Sequence, residues 1–153
     1  MVSILFVTFD IFAKAKLVQN KKTTNNIEDL YIKYSVTNGY SRSSSNLVID
    51  QKGNVFLETT NSKNNKNTKN IKLNSKELTN LRSILNNAKM FSLNDSYKCE
   101  KFCSTDTNNI SIDFYYYEKI KTINIVNPIK LPESLQKVLN TLNSLQKRTS
   151  YAK

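Results

Sequence analysis

The residues best suited to chemistry are two cysteines, Cys99 and Cys103, in a chain of 153 residues that contains no histidine. Without imidazole the chain lacks the commonest general base and metal ligand. Two cysteines without a second pair do not complete a tetrahedral zinc site. We expect a disulfide that staples a loop, with two free thiols as the alternative, because the C-x-x-x-C spacing does not fit a thioredoxin-like redox site.

Other motif-like residues do not complete a catalytic site. Ser134 and Lys137 match S-x-x-K, but the S-D-N and K-T-G partner motifs of penicillin-binding enzymes are missing. With only two glycines, the chain has no glycine-rich phosphate loop. A set of four carboxylates lacks the spacing of a calcium-binding loop: Asp95, Glu100, Asp106 and Asp113. The sequence therefore predicts no catalytic residue, no metal site and no cofactor.

The net charge is +11, from 23 basic and 12 acidic residues. One interpretation is a polyanionic partner, such as nucleic acid, acidic lipid headgroups or an acidic protein. Background composition is the other, because lysine supplies 20 of the 23 basic residues and arginine, the usual bidentate ligand of phosphates and bases, only three. We do not expect nucleic acid as the partner. A polyanion surface would combine outward-facing tyrosines and nearby lysines: Tyr115, Tyr117, Lys119 and Lys121.

Residues 1–15, MVSILFVTFDIFAKA, are typical of a signal peptide. An apolar run ends in Ala13-Lys14-Ala15, a small-x-small pattern that signal peptidase accepts. No basic residue precedes the run, and Asp10 lies inside it at a cost of about 3 kcal/mol. A core strand in a cytoplasmic protein is therefore the alternative to export into the periplasm or medium. No other stretch approaches the length of a membrane span, so we expect none in the mature chain.

The remaining pattern predicts a flexible lead-in over residues 16–29, a single domain over 30–147 and a frayed tail over 148–153. Apolar alternation predicts five strands, and two apolar stripes of helical period predict helices, the first capped by Asn74 and Glu77. Residues 42–45 read as a serine-rich loop, and 61–70, without an apolar residue, as a solvated loop or hairpin tip. The order β-β-β-α-β-β-α predicts an α+β fold, an antiparallel β-sheet with two helices packed on one face.

Several spaced residues form a recognisable succession: Tyr34-Ser35-x-x-Asn38-Gly39, Leu47-x-Ile49-Asp50-x-x-Gly53, Leu73-x-x-x-Glu77-Leu78-x-x-Leu81, Phe91-x-Leu93-x-x-x-Tyr97, Cys103-x-x-Asp106 and Pro132-x-x-Leu135. This succession resembles a group of small exported bacterial proteins of unknown function, which includes emfourin-type inhibitors of thermolysin-like metalloproteases. The resemblance covers residues 29–145. It implies a small α+β domain that occupies another protein's active site through its loops. Where members of that group usually have two consecutive glycines, this chain has Gly39-Tyr40.

Together these patterns predict an exported, monomeric, non-enzymatic domain that binds another protein, in the manner of a protease inhibitor. Rigid loops and an outer sheet face would present the contacts. Their side chains are aromatic or basic: Tyr40, Arg42, Tyr97, Phe102, Tyr115 and Tyr117. The alternative function is binding of nucleic acid or an acidic surface through lysines and exposed tyrosines.

Overall fold

A computed structural model describes residues 30–99, 108–116, 119–127 and 130–152 of the chain. The predicted signal peptide and lead-in lie outside these residues. So do three side chains with a predicted role: Phe102, Cys103 and Tyr117.

The described residues form one sheet and two long helices. In chain order the elements are β1 Leu30–Asn38, β2 Ser43–Ile49, β3 Asn54–Thr60, β4 Lys66–Lys72, α1 Ser75–Asn87, a short 3-10 helix Met90–Ser92, β5 Ser96–Lys98, β6 Asn108–Tyr116, β7 Lys119–Val126 and α2 Glu133–Ser150. In space, the strands lie in the order β4-β3-β2-β1-β6-β7-β5. Neighbouring strands are antiparallel, except that β5 runs parallel to β7.

The alternating strands place their apolar side chains on one face of the sheet. Tyr34 of β1, for example, lies between Leu47 of β2 and Ile112 of β6, and all three are buried. The helices close this face with their own buried residues, which join the same core: Leu81, Leu85, Leu135, Val138, Leu139 and Leu142. Among the described helices, neither is long and apolar enough to cross a bilayer.

The ends of the two helices are tied together by the residues that cap α1. Asn74 Oδ1 accepts from the Glu77 backbone N–H at 2.9 Å, and Glu77 Oε2 accepts from the Asn74 N–H at 2.8 Å. Glu77 also accepts from Arg148, near the end of α2. The hydrogen bond from Arg148, and then that from Asn74, lower the pKa of the Glu77 carboxyl from its ordinary value.

The α+β class is confirmed, and the element order matches the prediction with two strands added. One of these, β4, pairs with β3 over seven residues. It was not predicted because Ile71 is its single apolar residue, so its sequence shows no apolar alternation. The other, β5, has three residues, too few for a period to appear. Because β5 is parallel to β7, the sheet is mixed rather than wholly antiparallel.

Two boundaries also differ from the prediction. Residues 43–45 belong to β2 rather than to a loop, because Ser43 to Ser45 pair with the last residues of β1. Helix α2 continues to Ser150, within the range predicted to fray, because Thr149 is completely buried. Lys69 Nζ also donates to the Ala152 carbonyl at 2.7 Å, which fixes the end of α2 to β4.

Candidate interaction surface

The strand directions bring several connections to one end of the sheet. Since β2 is antiparallel to both β1 and β3, the turns that follow β1 and β3 lie at the same end. There β6 begins, and β7 and β5 end. We call this set the turn end, and it comprises residues 39–42, 61–65, 99, 108 and 127. It is the end at which the predicted loop contacts Tyr40 and Arg42 lie together with Cys99.

The turn between β1 and β2 holds Tyr40 outward on an ordered backbone. Asn38 Oδ1 accepts from the Ser41 backbone N–H at 2.8 Å, and the Ser41 and Ser43 hydroxyl oxygens lie 2.5 Å apart. Arg42 adopts a left-handed conformation with φ of 50°, which returns the chain to β2. Tyr40 is 85% exposed. The turn therefore presents Tyr40 and Arg42, two exposed side chains two positions apart, on a short and hydrogen-bonded backbone.

Cys99 also lies at the turn end, next to β5 at one edge of the sheet, whereas the Tyr40 turn joins the more central strands β1 and β2. Its backbone N–H donates to the Val126 carbonyl at 3.2 Å, which continues the pairing of β5 with β7. Three strand spacings separate β5 from β1, a distance of about 14 Å. Cys99 and the Tyr40 turn are therefore close enough to contact one partner.

Tyr97, the next predicted contact, faces the core. It stands opposite Ile125 on β7 and packs against the buried cluster. Its hydroxyl oxygen accepts from the Asn94 backbone N–H at 3.1 Å. The ring therefore anchors β5 to the sheet and is only partly available to a partner.

A polar groove of about 540 Å³ runs between the turn end and α2. Gln146 of α2 crosses one side, where its Nε2 donates to Ser45 Oγ at 2.6 Å. Lys66 of β4 lines the groove, and the rest of its polar lining is mainly amides and hydroxyls, including Asn38, Ser43, Thr59, Asn65, Asn67 and Gln146. Such groups donate and accept hydrogen bonds but do not transfer protons near neutral pH, so the groove suits recognition of a peptide backbone better than catalysis.

Tyr115 lies on the outer face of the sheet, far from the turn end. Its ring meets Tyr31 edge-on, with centroids 5.2 Å apart and planes at 79°. Burial, followed by the neighbouring Tyr115 and Asp113, raises the pKa of Tyr31. Tyr31 lies seven positions before Asn38 in β1, which is about 23 Å along an extended strand. The structure therefore separates Tyr115 from the contacts in the turns.

The lysines predicted to accompany the outer tyrosines lie on the other face. Lys121 stands opposite the buried Phe114, and its ammonium pairs with Asp95. Lys119 stands opposite Tyr116, whereas Tyr115 is paired with Ile120. Tyr115 therefore shares its face with an exposed isoleucine rather than with these two lysines.

The other motif residues have structural partners. Lys137 Nζ lies 2.7 Å from Glu133 Oε1, and this hydrogen bond and charge lower the pKa of Glu133. The Thr122 hydroxyl donates to Asp113 Oδ1 at 2.9 Å. In the part of the chain that the structure describes, no cluster of acidic residues and cysteine could hold a metal ion.

Sequence reasoning missed the polar groove. Its walls come from β1, β2, β3, β4 and α2, so its residues are scattered over more than a hundred positions. The run Ser43-Ser44-Ser45 was the one available signal for the groove. Serines in place of apolar residues within a strand indicate that the hydrophobic core does not extend to that part of the sheet.

The matched family covers the whole described sheet. Residues 30–146 match a family described as Domain of unknown function (DUF6438). The match begins at the first residue of β1 and ends inside α2. Comparison with curated proteins gave no match.

Proposed function

Because the chain belongs to the DUF6438 family of unknown function, its activity must be inferred from its own surface, and we propose an exported, non-enzymatic binding domain that inhibits a protease through the turn end. One observation carries the proposal: Tyr40 is almost fully exposed on an ordered turn. Aromatic and arginine side chains are the residues that most often dominate binding energy. An ordered turn backbone reduces the conformational entropy that is lost on association.

The polar groove beside this turn supports an extended peptide as the bound segment. Asn67 and Ser43 offer side-chain donors and acceptors within the same groove. The rim of a protease's substrate cleft includes extended backbone segments with free donors and acceptors, and a rigid inhibitor turn occupies the cleft in place of the substrate. The proposal therefore places Tyr40 and Arg42 in the cleft, with the groove against its rim.

Export and the disulfide are part of the same proposal. A bond between Cys99 and Cys103 would close a short loop at the turn end and would persist in an oxidising compartment. Among the described residues no cysteine is a free thiol, as this pairing requires of Cys99. A closed loop there would be a second rigid contact beside the Tyr40 turn.

The experiment is titration of thermolysin-like metalloproteases with the purified protein. We expect inhibition at micromolar protein, and Tyr40→Ser should weaken it by about tenfold or more because the anchoring ring is lost. Tyr151→Ser is the matched control, since Tyr151 is also 85% exposed but follows α2. No inhibition at micromolar protein, or equal loss in the two variants, would reject the proposal.

Binding of a nucleic acid or other polyanion remains the second proposal. The net charge of +11 supports it, whereas the separation of Tyr115 from Lys121 removes the composite surface on which it first rested. It predicts retention on heparin that collapses steeply as salt rises. Elution below roughly physiological salt would count against it.

A further inference from the structure

The strand β4 is the last in the sheet, and its outer side has no strand partner among the described residues. Its hydrogen bonds to β3 can be assigned residue by residue. Leu73 N donates to Gly53 O at 2.8 Å, and Asn61 N donates to Asn65 O at 3.1 Å. Hydrogen-bonded pairs alternate along an antiparallel ladder, so Asn67, Lys69 and Ile71 bond to β3 through their backbones.

The intervening residues turn their backbone groups away from the sheet. These residues are Lys66, Thr68, Asn70 and Lys72, and their side chains lie on the outer face. The free side of β4 is thus a row of donors and acceptors about 20 Å long. Such a row is a template for one further strand.

The charge on this edge has one sign. Between Asn61 and Lys76 the chain carries five lysines and no acidic residue. Lys66 is 65% exposed, and its Nζ lies 3.5 Å from Glu58; Lys72 Nζ donates to Asn54 Oδ1 at 2.9 Å. Exposed contacts of this kind contribute little, so both ammonium groups can exchange them for a partner's carboxylate at small cost.

We propose that the free edge of β4 binds an extended acidic segment of another protein, which adds as an eighth strand. This goes beyond the proposed inhibition and uses the edge of β4 rather than Tyr40, with Lys66 as the one residue that also lines the polar groove. Carboxylates on the added strand would meet Lys66 and Lys72 while its backbone pairs with Thr68 and Asn70. A second copy of the chain is a poorer occupant of the edge, because it would bring the lysines of two β4 strands into one interface.

A nucleic acid fits the edge less well. It would use the ammonium groups but leave the backbone donors and acceptors of β4 without strand partners. Every side chain of β4 is aliphatic or polar, so the strand itself offers no ring for base stacking. An extended acidic peptide satisfies the charge and the backbone together.

Binding is tested with a fluorescent peptide of roughly ten residues in which glutamate alternates with threonine. The double variant Lys66→Glu, Lys72→Glu should weaken binding by about tenfold or more, since attraction becomes repulsion. The control, Lys98→Glu with Lys130→Glu, makes the same charge change at described exposed positions away from β4. Equal loss in both double variants means that net charge alone holds the peptide, which would overturn the proposal.

Amide hydrogen exchange tests the strand addition itself. With peptide bound, exchange at Thr68 and Asn70 should slow, while Lys69 and Ile71, which already bond to β3, should change little. Asn70→Pro removes an outward N–H without breaking the ladder to β3 and should weaken binding.

Two outcomes would contradict strand addition: binding without slower exchange at Thr68 and Asn70, or equal competition by heparin of matched charge. The peptide result is independent of protease inhibition, because Tyr40→Ser should bind the peptide as the parent protein does.

Discussion

At the scale of single residues, Tyr34 shows how a polar group is accommodated in the core. Its side chain is 1% exposed, and its hydroxyl donates to Asn143 Oδ1 on α2 at 2.7 Å. Burial raises the pKa of Tyr34 to about 12, because the phenolate would lose its hydration. The residue thus links β1 to α2 and resists ionisation.

Replacement of Tyr34 by phenylalanine should reveal this link through pH. In the unfolded chain Tyr34 titrates near pH 10, so its contribution to stability is complete below that pH and is lost as pH rises through about 12. Tyr34→Phe should cost about 1 kcal/mol at neutral pH and should flatten the fall in stability above pH 10. Urea unfolding at several pH values measures both effects. The exposed Tyr40→Phe is the control, and equal slopes in the parent and Tyr34→Phe would contradict the assignment.

At the scale of elements, the turn between β2 and β3 depends on one glycine. Asp50 Oδ1 accepts from the backbone N–H groups of Lys52 and Asn54 at 2.9 and 2.8 Å. Gly53 has a φ of 76°, and its carbonyl accepts from Leu73 N, so the turn also fixes the end of β4 before α1. The Gly53 backbone N–H also donates to the Asp50 carbonyl at 2.9 Å, which closes the turn.

Gly53→Ala should destabilise the fold by about 1–2 kcal/mol. A side chain at this φ is strained, and its Cβ would lie 3.3 Å from Leu73 Cβ. Gly39→Ala is a matched control, because Gly39 does not have a positive φ and its variant should stay within about 0.5 kcal/mol of the parent. Thermal or urea unfolding compares the two. A loss at Gly39 as large as at Gly53 would contradict this explanation.

At the scale of the whole molecule, several connections between strands lie together at the turn end, and β4 forms one edge of the sheet. The first surface is formed by an aromatic residue and a polar groove, and the second by lysines and open backbone groups. They meet at Lys66, which also lines the groove. The two proposals assign a different partner to each surface. The compartment decides which partners it meets.

Mass spectrometry of the exported, non-reduced protein tests the compartment. We expect a mature chain that begins at Lys16 and lacks the two hydrogens lost when Cys99 and Cys103 join. Reduction should then lower stability by about 2 kcal/mol, because the unfolded chain regains loop entropy. Cys99→Ser serves as the control, since reduction should leave it unchanged. Retention of Met1, or two thiols that alkylate without reductant, would contradict export and pairing.

Local patterns account for most of what could be foreseen. Alternation marked β1, β2, β3, β6 and β7, and the core stripe of α2 is buried as expected, because period and burial are properties of neighbouring residues. The Asn74–Glu77 cap is formed as predicted, since both partners lie within one turn. The α+β class was therefore predictable from the sequence alone.

Contacts between distant segments required the folded structure. β4 is a strand because β3 supplies its hydrogen bonds, and Tyr97 turns inward because β5 lies beside β7. Lys121 pairs with Asp95, which lies 26 positions earlier in the chain. Such pairings depend on which strands become neighbours, and no local period encodes that choice. For this reason short segments of the sequence determine the type of fold, whereas the binding surfaces form only when segments distant in sequence pack together.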